Sequence, residues 1–196
     1  MADKNIKKYV GDLIEKYDYY NPIKDRTETL RLANIKNKNI LDVGTGKGHL
    51  AILAAKNFDC SITSIDISED QINIAKLNAK KEGVLDKIKF RLNNAINIPF
   101  KEKSFDVAIS YNGLHHCKGN YKKIVKEMFR VAKDKVVITE LNEMGVRIFD
   151  EYLHPEKNHK EMSINLKELE DNLKKYSNVK RLDRKLMSTF VCKINY

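Results

Sequence analysis

The sequence predicts a doubly wound α/β domain: a seven-stranded, mostly parallel sheet with helices on both faces and an antiparallel last strand. Three observations predict it. From Asn39 onward, short apolar runs alternate with segments of helical period, the order that builds a parallel sheet covered on both sides. The first such run, NILDV, breaks into a turn with three glycines in five residues, Gly44, Gly46 and Gly48, before helical period resumes. The chain closes on two strand-like segments with no helix between them, which must pair antiparallel. With 196 residues, 42% apolar and 33% charged, it suits one domain with its own core and is neither disordered nor fibrous.

Ahead of the first strand, Val10, Leu13, Ile14 and Tyr17 form the apolar face of a short helix, YDYYNP interrupts it, and a second helix runs from about Arg26 to Ile35. After the glycine turn, Leu50, Leu53, Ala54 and Phe58 fall at helical spacing. CSITSID is the second strand. Ser68 then reads as an N-cap with Gln71 completing a capping box, Glu69 and Asp70 suit the positive end of the helix dipole, and Gly83 stops the helix near Glu82. KIKFRL, SFDVAIS and KVVITEL are the third to fifth strands. The helix between the last two, from about Asn120 to Lys133, points Lys122, Lys123 and Lys126 away from Ile124, Val125 and Met128, as a solvated face does. Regularity lapses from Asn142 to Ser163. Leu166, Leu169, Leu173 and Tyr176 then mark a last helix, and NVKRLDRKLMS and TFVCKINY the final strands.

Composition narrows the function classes. No segment reaches the roughly 18 apolar residues of a membrane span, and MADKNIKKYV lacks the apolar run of a signal peptide, so a cytoplasmic protein with no membrane partner is expected. Cys60, Cys117 and Cys192 stand far apart with no CxxC spacing, which gives neither a zinc site nor a disulfide framework; Cys60 and Cys192 read as buried thiols in strands. The formal charge of +10 raises nucleic acid as a partner. Against it, 30 of the 37 basic residues are lysines scattered along the chain among acids, whereas phosphate readers concentrate arginine. His115, His116, His154 and His159 lack the i, i+4 spacing of a zinc pair, so no metal is expected.

The glycine turn selects among phosphate and adenosine ligands. A Walker A loop fails at two positions, since Leu41 stands where the first glycine belongs and Gly48 where Ser or Thr should follow the lysine. The dinucleotide pattern fails at its third glycine, which here is His49. What stands there is Asp42-Val43-Gly44-Thr45-Gly46-Lys47-Gly48, with Asp66 ending the second strand. This resembles motif I and the ribose-binding acid of the class I S-adenosylmethionine-dependent methyltransferases. Glycines let the backbone approach an adenosine, and a carboxylate accepts hydrogen bonds from both ribose hydroxyls. FRLNNAINIPFKEKSFDVAISYNGLHH extends the resemblance to the small-molecule, ubiquinone-biosynthesis-like group. There an acid and a small residue after the third strand read the adenine; here Asn94 replaces the acid and Ala95 follows it.

The resemblance, which covers residues 39 to about 141, implies a Rossmann-like sheet binding S-adenosyl-L-methionine. The implied contacts are Asp42, Gly44, Thr45, Gly46, Gly48, Asp66, Ile67, Asn94, Ala95 and Ser110. It divides one domain, 1–196, into an N-terminal helical lid (1–37), a cofactor-binding core (38–141) and an acceptor-side connection with the last helix and strands (142–196). It places the segment after strand four beside the methyl group, making Tyr111, Asn112 and His116 candidates for binding a small-molecule acceptor and His115 the candidate base. Tyr19 and Tyr20 stand in the lid, Tyr19 as an acceptor contact and Tyr20 as a catalytic candidate. Methyl transfer from a sulfonium needs alignment first and a base only when the nucleophile must lose a proton. Two rival functions are a nucleic-acid methyltransferase, though SYNG stands where exocyclic-amine enzymes carry [ND]PP[YF], and a noncatalytic cofactor-binding or scaffolding module. Cys117 lacks the Pro-Cys setting of a pyrimidine-C5 enzyme.

Overall fold

The computed structural model describes residues 21–194 except 118 and 155. The expected first helix, with Tyr19 and Tyr20, lies outside these residues. The described chain begins at Asn21, whose side chain accepts from Ile23 N and Lys24 N and so caps α1 (Pro22–Ala33), with Pro22 in the first turn, where its missing N–H costs nothing.

Seven strands form one sheet: β1 (Lys38–Val43), β2 (Cys60–Asp66), β3 (Ile88–Leu92), β4 (Phe105–Tyr111), β5 (Ala132–Leu141), β6 (Asn178–Asp183) and β7 (Met187–Lys193). The order is β3-β2-β1-β4-β5-β7-β6. Strands β1 to β5 run parallel to one another, and β7 runs antiparallel to both β5 and β6. The expected fold class holds. The hairpin turn comes earlier than expected, at Arg184 to Leu186, because Leu186 and Met187 are fully buried and draw β7 into the sheet from its first residue.

Helices α2 (His49–Asn57) and α3 (Glu69–Lys81) follow β1 and β2, and α4 (Tyr121–Val131) and α7 (Leu166–Leu173) flank β5. One core packs Leu30 of α1 and Leu50, Ala51 and Ala54 of α2 on one face of the sheet. The other packs Ile124, Val125 and Met128 of α4 and Leu169 and Leu173 of α7 on the opposite face. Each of these buried Leu, Ile, Val and Met side chains contributes about 1.5–3 kcal/mol relative to exposure. The exposed Lys122, Lys123 and Lys126 lie on the outer face of α4, as expected.

The stretch from 142 to 163 departs from expectation, because it is built and not irregular. It holds α5 (Glu143–Ile148), a π-helical turn (Phe149–Leu153) and α6 (His159–Met162). Asn142 caps α5 by accepting from Gly145 N at 2.8 Å. Gly145 is required there: a Cβ on it would stand 2.1 Å from the Leu186 carbonyl oxygen. The cysteine expectation is corrected in part, since Cys192 is buried but Cys60, the first residue of β2, is only half-buried.

Candidate active site

The carboxyl ends of β1, β2, β4 and β5 meet above the sheet, where open α/β folds hold their ligands. At the end of β1 the chain turns through Gly44, Gly46 and Gly48, all at positive φ. Gly44 N and Thr45 N both donate to Ile65 O, which pins the turn to β2. The glycines divide the work. A Cβ on Gly46 would meet nothing within 4 Å, so its surface is open to a ligand, whereas one on Gly48 would stand 2.9 Å from Ala75 Cβ. Gly48 is there so that α2 can pack on α3. Gly44 faces Gly113 of the segment after β4.

Asp66 closes the turn from below. Its Oδ2 accepts from Gly46 N and its Oδ1 from Ser68 N, each at 2.9 Å. A carboxylate offers about four lone-pair sites, so two remain for hydroxyl donors. The expected capping box is thus half formed: Ser68 accepts from Gln71 N, but the Ser68 N–H goes to Asp66. Ile67, next in the chain, is 67% exposed, an apolar side chain left uncovered beside the carboxylate.

Asp42 does not reach the ligand surface. It is 2% exposed and accepts from Ser64 Oγ at 2.7 Å, and Ser64 in turn bonds Thr45 Oγ1 at 2.7 Å. With Ser64 donating to the carboxylate, Thr45 is left to donate to Ser64. Burial pushes the Asp42 carboxyl up to about 7; the Ser64 hydrogen bond opposes this and the nearby Asp66 charge adds to it. After β3, Asn94 Oδ1 accepts from Ile96 N at 3.0 Å and so is engaged in its own turn, while Ala95 packs against the core. Any acceptance there by the Asn94 amide oxygen uses its second lone pair.

Beyond β4, Ser110 Oγ and Asn112 Oδ1 are buried with no hydrogen-bond partner among the described residues. Asn112 adopts φ 53°, and its N–H donates to Thr139 O. His115 is 4% exposed, with Nδ1 2.8 Å from Glu140 Oε2. The other Glu140 oxygen accepts from Gly113 N at 3.1 Å and Leu114 N at 2.7 Å. Three donors on one buried carboxylate fix the His115 ring and its tautomer, Nδ1–H toward Glu140 and Nε2 as the basic nitrogen. His116 packs its ring 4.0 Å from that of His115, and burial, with the His115 charge next, pushes it down to about 4. It is neutral at physiological pH.

Two contributors escaped the sequence reading. Glu140 is the last residue but one of the strand KVVITEL, and an acid near the carboxyl end of a mostly apolar strand was the available signal. Arg26 on α1 has its guanidinium 5.0 Å from the Tyr111 ring centroid, and its charge helps to depress the His49 pKa, after burial. It therefore stands near both the end of β4 and the start of α2. Its neighbour Asp25 is ion-paired with Arg184 at 2.6 Å, and Arg26 makes no ion pair with a described residue. A cavity of about 1430 Å³, lined by no residue of the glycine turn, lies between Leu141, Val146, Asp150, Ile164 and Arg181. Among the described residues, no three His, Cys, Asp or Glu side chains gather as a metal site, and no helix is long and apolar enough to cross a membrane.

Strand order, glycine turn and acid together define a class I S-adenosylmethionine-dependent methyltransferase domain. The comparisons agree: the family described as "Methyltransferase domain" matches residues 34–193, and the chain belongs to it. Norajmaline N-methyltransferase of Rauvolfia serpentina is 33% identical over 111 residues, 54% of this chain and 38% of that protein. The 27-O-demethylrifamycin SV methyltransferase of Amycolatopsis mediterranei is 34% identical over 94 residues, 48% of this chain and 34% of that one. The chain thus matches little more than a third of the length of these relatives. Among solved structures, a SAM-dependent methyltransferase from Aquifex aeolicus shares the fold with a TM-score of 0.71 at 20% identity, over 94% of this chain and 98% of that chain.

Proposed function

We propose that the protein transfers a methyl group from S-adenosyl-L-methionine to a small-molecule acceptor, as a cytoplasmic enzyme. The observation that carries this is the Asp66 carboxylate, tied to Gly46 N beneath an open glycine surface, with Ser110 Oγ and Asn112 Oδ1 left unsatisfied after β4. These groups fit the cofactor. Asp66 would take the ribose hydroxyls, Ile67 and Ala95 would bracket the adenine, and Gly44 and Gly46 would admit the amino-acid tail. Arg26, a cation with no acid partner among the described residues, would meet the tail's carboxylate, the one anionic group the cofactor carries. Thr45, Ser64 and Asp42 hold the turn from beneath.

The cofactor supplies an electrophilic methyl on sulfur. What the chain adds is alignment, exclusion of water and, where the acceptor's nucleophile carries a proton, a place for it. His115 is the proposed base, since Glu140 holds its Nδ1–H and would stabilise the imidazolium once Nε2 takes the proton. Tyr111, Asn112 and His116 would border the acceptor, and we extend the proposal to Tyr19 and Tyr20 from the adjoining segment. The small-molecule character of the relatives supports the acceptor class.

Calorimetry tests the cofactor. S-adenosylhomocysteine should bind and NAD and ATP should not; binding of NAD with no response to S-adenosylhomocysteine would sink the proposal. Mass spectrometry of extract incubated with methyl-labelled cofactor then tests the acceptor class, and label appearing only in RNA would move the function to nucleic acid.

A further inference from the structure

Behind His115 lies a second histidine with the same kind of support. His159, on α6, is 3% exposed, and its Nδ1 stands 2.8 Å from Asp150 Oδ1. The Asp150 carboxylate also accepts from His159 N and Lys160 N, so it is held as firmly as Glu140 is. The His115 and His159 ring centroids are 5.9 Å apart. Between them is a cavity of about 10 Å³, lined by His115, Glu140, Leu141, Val146, His159, Ser163 and Ile164.

Each carboxylate takes an Nδ1–H, so each ring keeps Nε2 as a lone-pair acceptor. His115 Nε2 is buried with no partner among the described residues, an unsatisfied group of the sort that demands a donor. Two acceptors cannot bond each other. A water has two O–H groups, and a cavity of roughly 10–15 Å³ with two or more polar partners is what one water requires. Ser163 Oγ, which also lines the cavity, donates to Lys160 O and so has no hydrogen left for either ring nitrogen.

We infer that one buried water donates to both His115 Nε2 and His159 Nε2, and that His159 is a positioning residue holding the His115 ring by the nitrogen that Glu140 leaves free. This rests on the reading of His115 as the base. It adds that the stretch from Glu143 to Met162, which carries both Asp150 and His159, sets the orientation of that base through a single solvent molecule, which an acceptor reaching Nε2 must displace. Burial lowers the His159 pKa against the opposing pull of Asp150, in keeping with a neutral ring that accepts at Nε2.

A crystal structure of the wild-type protein at a resolution that shows ordered water should contain one water within hydrogen-bond reach of both rings; a dry cavity overturns the inference. In solution, ¹⁵N-histidine spectra at neutral pH should show both rings as Nδ1–H tautomers, with His115 Nε2 at a hydrogen-bonded shift. His159→Leu should move that resonance to its unbonded position, and His159→Gln, which can still bond the water, should keep it. Equal disturbance by both variants, or by neither, reduces His159 to packing and overturns the inference. S-adenosylhomocysteine affinity should be unchanged in both variants. Failure of the wild type to bind S-adenosylhomocysteine would overturn the proposed function and leave the water result to stand or fall on its own.

Discussion

Asp66 binds the turn with the same two oxygens that the proposed function gives to the ribose hydroxyls, so its removal tests that assignment through affinity. Asp66→Ala is expected to weaken S-adenosylhomocysteine by about 1.5–3 kcal/mol, the scale of hydrogen bonds to a charged group, and an unchanged dissociation constant in calorimetry would remove Asp66 from the site. Arg26→Gln separates the cofactor's two ends. It should weaken S-adenosylhomocysteine yet leave 5′-methylthioadenosine, which lacks the carboxylate, bound as before; equal losses for both ligands would refute the assignment. Asp42 makes a prediction about pH. Below its ordinary value of 3.8 the folded and unfolded carboxyls are both protonated and nothing depends on it. Between there and about 7 the unfolded state ionises while the folded one does not, so stability falls as pH rises, and above 7 the deficit is constant. Asp42→Asn cannot ionise, so at pH 8 it should be more stable than wild type by on the order of 1–4 kcal/mol, with the gain gone by pH 4 in denaturant titrations. Asp66 and the glycines were legible because their meaning lies in spacing along the chain. Glu140 and the partnership of His115 with His159 were not, because 25 and 44 residues separate the partners and no period links them.

At the scale of elements, two glycines two residues apart should fail in different assays. Gly48→Ala places a methyl 2.9 Å from Ala75 Cβ at φ +82, so it should cost about 1–3 kcal/mol of overpacking in addition to backbone strain, read as a lowered melting temperature. Gly46→Ala has free space at φ +50, so its strain should be about 1–2 kcal/mol with no clash, and the main loss should be in S-adenosylhomocysteine affinity. Matching profiles for the two variants would contradict this division. The long periodic elements were readable: β2 was predicted residue for residue, and α4 within two at either end. The segment after β5 was not, because helices of six and four residues are too short to show a period, and Gly145 reads as a breaker until Leu186 is known to press on it.

On the scale of the whole molecule, the candidate site lies at the carboxyl ends of the strands, while the chain's last described strand inserts between two earlier ones, one place in from the edge of the sheet. Arg184, in the final hairpin, reaches back to Asp25 and to the hydroxyls of Thr29 and Thr189, so the far end of the chain also fixes the helix that carries Arg26. Strand β7 lies between β5 and β6. A chain emerging from the ribosome therefore makes β6 before β6 has any neighbour to join, and it leaves the edge of β5 bare along seven register positions, Lys135 to Leu141, until Met187 to Lys193 have been synthesised. Such an edge, rich in Val136, Val137 and Ile138, is a template for sticking to other chains. A version halted after Arg184 should accumulate in the insoluble fraction or on chaperones, and supplying the missing strand as a separate peptide should recover soluble protein; a soluble, cooperatively melting truncated chain would show that the sheet closes without its latecomer.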